Sequence, residues 1–236
     1  MVDETDLSQE KKWFYEVRAR EVIKNLLKRN MNGQYTASRH EALAAVMEMI
    51  PPGATIARGD SISVEQVGVL EELLKRDRNK LIDPLKRDEN GSFVYNSDDR
   101  YRLEREAFFA DAFITGTNAI TLDGKLVSTD GMGNRVSPMI YGPKKVIIVV
   151  GANKIVKDVE EALARIHDVA APINAMRHYL KHHIAKFSDL PCVKTGRCVD
   201  CSHTARICRY TVIIEGSDIL QKGRINVVLV GEDLGI

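Results

Sequence analysis

AFITGTNAITLDGKLVSTDGMGNRVSPMIYGPKKVIIVVG, residues 112–151, decides the fold. It opens on the apolar run Ala112-Phe113-Ile114-Thr115 and closes on Lys145–Val150, KVIIVV. Neither run alternates apolar with polar residues. Strands covered on both faces read this way, and such strands belong to parallel, helix-covered sheets. Between the runs, Gly116 to Arg135 is rich in Gly, Asn, Thr and Asp, with a turn expected at Asp123-Gly124.

The flanks repeat the alternation of strand and helix. Upstream, Ala54–Ala57 reads as a buried strand, and the turn Gly59-Asp60-Ser61-Ile62-Ser63 follows it. Ser63 and Gln66 have capping-box spacing, opening a helix to Lys75 with Val64, Val67, Leu70, Leu73 and Leu74 inward. Earlier still, residues 11–30 predict a helix with Phe14, Val17, Val22, Ile23, Leu26 and Leu27 apolar, ended by Asn32-Gly33. Ser38 and Glu41 cap a second helix, which carries Leu43, Val46, Met47 and Ile50 on one face and stops at Pro51-Pro52-Gly53. Residues 77–100 read as a charged surface excursion with a short strand near Leu81-Ile82, and a helix spans about 100–110. Downstream, Val156, Val159, Ala162, Leu163 and Ile166 share a helical face, and another helix starts after Pro172. Thr211–Ile214 and Ile225–Val230 close the chain as strands. The expected fold is α/β. Its mostly parallel sheet contains 54–57, 112–115, 145–150, 211–214 and 225–230, covered by helices. Residues 1–236 are read as one domain, with a cysteine-rich segment at 190–209 inside it.

Composition narrows the function. At 236 residues the chain can bury a core without disulfide staples. A net charge of +1 argues against a nucleic-acid footprint. No apolar run approaches a membrane span, and the acidic, polar start is unlike a secretory signal. The expected compartment is the cytoplasm, where thiols stay reduced. No nucleotide cofactor is indicated.

Three turns could form a ligand site at the carboxyl edge of the sheet, where open α/β folds place their ligands. Gly59, Asp60, Ser61 and Ser63 make the first, and Gly116, Thr117 and Asn118 the second. Asp130, Gly131, Gly133, Asn134 and Arg135 make the third. The glycines would let backbone approach a ligand, and Arg135 could grip a carboxylate or phosphate in a fixed fork. The plainer readings are a hairpin whose glycines serve turns, a Ser63 that only caps a helix, and an Arg135 that only holds its loop through a carboxylate. His178 and His182, at i and i+4, read as surface or satisfied histidines, and Trp13 and Phe108-Phe109 as core.

All four cysteines fall late, at Cys192, Cys198, Cys201 and Cys208, spaced C-x5-C-x2-C-x6-C. Four thiolates suit zinc or an iron–sulfur cluster, with His203 a possible substitute ligand. The spacing matches neither common ferredoxin pattern nor a zinc ribbon, and cysteines also pack as small core residues.

GDSISVEQVG (59–68), ITGTNAITLDGKLVSTDGMGNRVSPMIYGPKKVIIVVGANKIV (114–156), AAPINAMR (170–177) and PCVKTGRCVDCSHTARIC (191–208) together resemble the LUD (lactate utilisation) domain family, over about residues 10–215. The resemblance implies a fold like that of the sugar-phosphate isomerase and CoA-transferase superfamily. It also implies an association with oxidising lactate to pyruvate, in some members beside iron–sulfur subunits, and it supplies no catalytic residue. The cysteine-rich segment looks closer to a stand-alone, cysteine-bearing branch. Two functions follow as expectations. One is a pocket for a small anionic metabolite, a carboxylate or phosphate ester. The other is a metal-bearing, non-catalytic or electron-transfer subunit that docks onto a redox protein partner.

Overall fold

The computed structural model describes residues 4–236. In chain order its strands are β1 Asn32–Thr36, β2 Thr55–Arg58, β3 Lys80–Ile82, β4 Ala112–Thr115, β5 Ala119–Thr121, β6 Leu126–Asp130, β7 Lys145–Gly151, β8 Ile155–Val156, β9 Tyr210–Ile214 and β10 Ile225–Val230. The α-helices are α1 Ser8–Lys28, α2 Arg39–Glu48, α3 Ile62–Val67, α4 Val69–Arg76, α5 Ser97–Glu106, α6 Val136–Ile140, α7 Val159–Arg165, α8 Ala171–His182 and α9 Pro191–Thr195.

Six strands form a wholly parallel sheet in the order β1-β10-β7-β4-β2-β3. The KVIIVV run lies inside it and is buried on both faces. Val146, Ile148 and Val150 join a core with Ala19, Val22 and Leu26 of α1, while Ile147 and Val149 join one with Val46 and Met47 of α2. This two-residue alternation between two apolar layers explains why the run shows no polar position after Lys145.

A second sheet departs from the expectation. β8-β5-β6-β9 is mixed, with β5–β6 and β6–β9 antiparallel. Residues 211–214 therefore pair with β6 and are not a strand of the central sheet. An apolar run shows that a strand is buried, but it does not choose the sheet. The segment 119–130 is a hairpin, with Gly124 at φ 86° in its turn.

Helix boundaries bring further corrections. Asn32-Gly33 does not cap α1; it begins β1. A Cβ on Gly33 would stand 2.8 Å from Leu26 Cδ1, so the glycine lets α1 lie close on the strand. Ser61, not Ser63, caps α3, accepting from the Val64 N–H at 3.4 Å. Gly68, left-handed at φ 82°, then splits the expected helix into α3 and α4. Ser38 caps α2 as expected. The exposed Trp13, Phe14, Val17, Leu27 and Phe109 are not core residues. The core face of α1 is Ala19, Val22 and Leu26.

Among the described residues no helix is long and apolar enough to cross a membrane. Residues 185–209 form a small cap on α8. In it Phe187, Leu190 and Ala205 pack around Ala175, with Cys192 and Ile207 beside them.

Candidate functional site

Because β2, β4 and β7 are parallel, their carboxyl ends face one edge of the sheet. There a cleft of about 330 Å³ opens between the turns after these strands, α8 and the cysteine-rich cap. Asp60, Ser61, Gly116, Thr117, Asn118, Asp130, Gly131, Asn134 and Arg135 line it, so all three sequence-selected turns reach one place. Gly59, Ser63 and Gly133 sit behind that lining. A Cβ on Gly59 would be 2.8 Å from Arg135 Cγ, and one on Gly116 2.6 Å from Ser61 Oγ; here the glycines permit close packing of the turns on each other. Gly131 lies against the Ile207 backbone, and Gly133, at φ 84°, makes a turn.

Arg135 is held from several sides. Its Nε donates to Asp130 Oδ1 at 3.0 Å, Nη1 to the Gly116 carbonyl at 3.0 Å, and Nη2 to Asn118 Oδ1 and the Thr129 carbonyl, both at 2.9 Å. Four of the five guanidinium N–H donors are thereby engaged. Asp130 also accepts from the backbone N–H groups of Arg135 and Val136, each at 2.9 Å. The pair ties the hairpin to the Gly116–Asn118 turn, the loop-holding arrangement. Asn134 turns outward and donates to Glu104 at 2.8 Å.

Lys154 escaped the sequence reading. It follows β7, is only 5% exposed, and lines the cleft. Its Nζ donates to Ser63 Oγ at 3.1 Å and to the Thr117 carbonyl at 3.4 Å, and no carboxylate of the described residues pairs with it. Burial, reinforced by the charges of Arg165 and Arg135, pushes its pKa down to about 7. Arg165 in turn donates to the Asn118 carbonyl at 2.7 Å. The only signal available in sequence was a lysine set in the apolar stretch after KVIIVV, where a charge is costly to bury.

α8 supplies the opposite wall. A five-residue π-helical turn, Ile166–Ala170, joins α7 to α8, and Ala170, Asn174, Arg177 and His178 face the cleft. Such turns recur at functional sites because they re-aim a helix face. Arg177 pairs with Asp60. Burial would raise the Asp60 pKa, but Arg177 outweighs it and holds the carboxyl below its usual range. His178 is more than the surface or satisfied histidine expected. Its Nδ1 is buried without a hydrogen-bond partner among the described residues. Burial and then the Arg177 charge push its pKa down to about 4, against the pull of Asp60. It packs 5.1 Å from the rings of both His182 and Phe187. A broader groove of about 910 Å³ shares Asp60, Arg177 and His178 with the cleft and runs on past Leu70, Phe93 and Tyr101. The Arg87 and Arg100 guanidinium groups lie 4.0 and 3.8 Å from the Phe93 ring centre there.

The four cysteines are all free thiols and half-buried. Burial, then the neighbouring Cys201 and Cys208, raises the Cys192 pKa. Cys208 Sγ accepts from Arg206 Nε at 3.2 Å, and His203 Nδ1 accepts from the Ala205 N–H at 3.0 Å. Among the described residues no three His, Cys, Asp or Glu side chains are grouped so as to hold a metal ion. The cysteine-rich segment is also part of the cleft. It serves as a wall of the cleft through Thr204, Ala205, Arg206, Ile207 and Arg209.

The family model described as LUD domain matches residues 19–230. Among curated proteins none matches the chain. A crystal structure of a DUF162 family protein from Deinococcus radiodurans is similar at 15% identity and a TM-score of 0.49, covering 92% of this chain and 97% of that one. eIF2B delta from Chaetomium thermophilum has 15% identity and a TM-score of 0.35, over 53% of this chain and 50% of that one. eIF2B beta from the same organism has 17% identity and a TM-score of 0.34, over 52% and 45%.

Proposed function

The chain belongs to the LUD domain family, and from that premise and the charge of its cleft we propose that it binds a small anionic metabolite, a carboxylate or phosphate ester. One observation carries the reading. Seven of the residues lining the cleft are lysine or arginine and two are aspartate, and no carboxylate of the described residues pairs with Lys154. Desolvated cations in a recess strengthen attraction for an anion, because water screens them poorly there. At about 330 Å³ the cleft suits a small ligand. A link to lactate utilisation in the cytoplasm is part of the same proposal, and lactate is one probe of it.

Calorimetric titration with inorganic phosphate and with L-lactate at low salt tests the reading. One saturable site is expected for at least one of the two, weakened at least about tenfold in Lys154→Gln, the loss of one charge-assisted hydrogen bond. Absence of saturable binding, or equal binding by the variant, would reject it.

A second reading, a zinc- or cluster-bearing subunit with a redox partner, draws on the other three thiols being near enough to raise the Cys192 pKa. An absorption spectrum and elemental analysis of protein purified without oxygen test it. A brown chromophore that bleaches on reduction, or stoichiometric zinc, would support a metal centre that needs the segment to rearrange. Colourless, metal-free protein would reject it.

A further inference from the structure

Anion binding leaves the nitrogen chemistry of Lys154 unused. A buried ammonium needs three acceptors or a carboxylate, and this one has a hydroxyl and a carbonyl, Ser63 Oγ at 3.1 Å and the Thr117 carbonyl at 3.4 Å. Two acceptors satisfy the two N–H groups of a neutral amine and leave its lone pair unengaged. The surroundings favour that form further. Arg165 and Arg135 both act on the group with like charge, and no described carboxylate pairs with it. The side chain is also fixed. Gly235 lies so close that a Cβ there would stand 2.6 Å from Nζ and 2.7 Å from Ser63 Oγ. A desolvated lysine beside other cations, lining a cleft, is the arrangement that turns an ammonium into a nucleophile.

We propose that the Lys154 amine forms an imine with the carbonyl carbon of a small anion bound in the cleft, an oxo acid being the class that carries both groups; this rests on the anion-binding reading above. The Nζ lone pair attacks the carbonyl carbon. Both amine protons end on the carbonyl oxygen, which leaves as water, and C=N replaces C=O. Nothing is oxidised or reduced. The other lysine and arginine side chains lining the cleft attract the charged end of the ligand. With a pKa pushed down to about 7, roughly half of the Lys154 side chains are free amine at pH 7, against fewer than ~1 in 1,000 for an ordinary lysine.

The experiment uses the full chain, sodium glyoxylate as the oxo acid, and sodium cyanoborohydride to reduce any imine to a stable carboxymethyl amine. Intact mass and peptide mapping at pH 7 read the result. One carboxymethyl group is expected on Lys154, formed at least about tenfold faster than on exposed lysines such as Lys12, and slowed by inorganic phosphate. In Lys154→Arg the fast adduct should vanish, and its persistence would overturn the proposal. So would Lys154 reacting no faster than Lys12. If phosphate or L-lactate still binds one saturable site in that case, only the imine fails; if neither binds, the anion-binding reading has failed with it.

Discussion

Arg135 and Lys154 line the same cleft and are buried in opposite ways. Arg135 stands on the hairpin wall with Asp130 at 2.9 Å and backbone carbonyls around it, so its charge is neutralised where it sits. Lys154 stands on the sheet wall with only a hydroxyl and a carbonyl, and its charge is opposed by two arginines. A compensated cation holds structure together. An uncompensated one costs stability, and folds keep such groups where a ligand or a reaction uses them. Sequence reasoning favoured Arg135 for the ligand. The contacts give it the loop-holding part and leave Lys154 as the group with unspent chemistry.

The largest effect should come from breaking the compensated side. Arg135→Ala leaves Asp130 buried and removes the donors to Gly116 and Asn118. It should lower the unfolding free energy by about 3–5 kcal/mol in urea titration, the range for orphaning a buried pair. A loss under about 1 kcal/mol would erase the contrast.

Lys154→Met should act with the opposite sign. The folded-state pKa, about 7, lies below the ordinary 10.5, so between these values the unfolded chain binds more protons and wild-type stability rises with pH. The cost is therefore fully present at and below pH 7. The variant should be more stable there by about 2 kcal/mol, with the advantage shrinking toward pH 10. Denaturant melts across that range read both the sign and the window. A variant less stable than wild type at pH 7 would break the comparison.

His178 tests the third wall. Its pKa, about 4 when folded against 6.5, means the unfolded chain takes up the proton first, so its contribution is lost as pH falls from about 6.5 to 4. The charged and titratable neighbours are Arg177, Asp60, His182 and Arg87. His178→Phe should remove about 1–2 kcal/mol of that acid sensitivity while leaving the Asp60 share in place, as stability measured at pH 7 and pH 4.5 would reveal. An unchanged acid profile would place the sensitivity elsewhere. The smallest effect belongs to Asn134→Ala. Its bond to Glu104 is exposed, so stability should move by less than about 0.5 kcal/mol even though the residue lines the same cleft.

Much of the fold was legible because buried parallel strands leave an unmistakable trace. Ala112–Thr115 and Lys145–Val150 pair in the central sheet, and the Asp123-Gly124 turn closes a hairpin. The three turns of the candidate site were legible for a related reason, since parallel strands deliver the turns after them to one edge. Where the reading failed, the signal was local and the decision was not. Ser61 precedes α3 and Ser63 lies in its first turn, and only Ser63 has a Gln three residues on; yet Ser61 is the cap, and Ser63 is instead taken by Lys154, 91 residues away. Trp13 and Phe109 are apolar by composition, yet both side chains stand largely exposed.

The sequence by itself determined that this chain makes a helix-covered parallel sheet, because apolar runs of strand length between amphipathic helices have few other ways to leave water. It also determined LUD membership, because the order and content of its turns are specific. Only the tertiary structure decided which sheet residues 211–214 join, that the Nδ1 of His178 is buried, and which cation of the cleft is neutralised. Those outcomes depend on partners brought together from distant positions. Lys154 meets Ser63 and Thr117, and Arg135 meets Gly116, through crossings of the chain that no local pattern encodes.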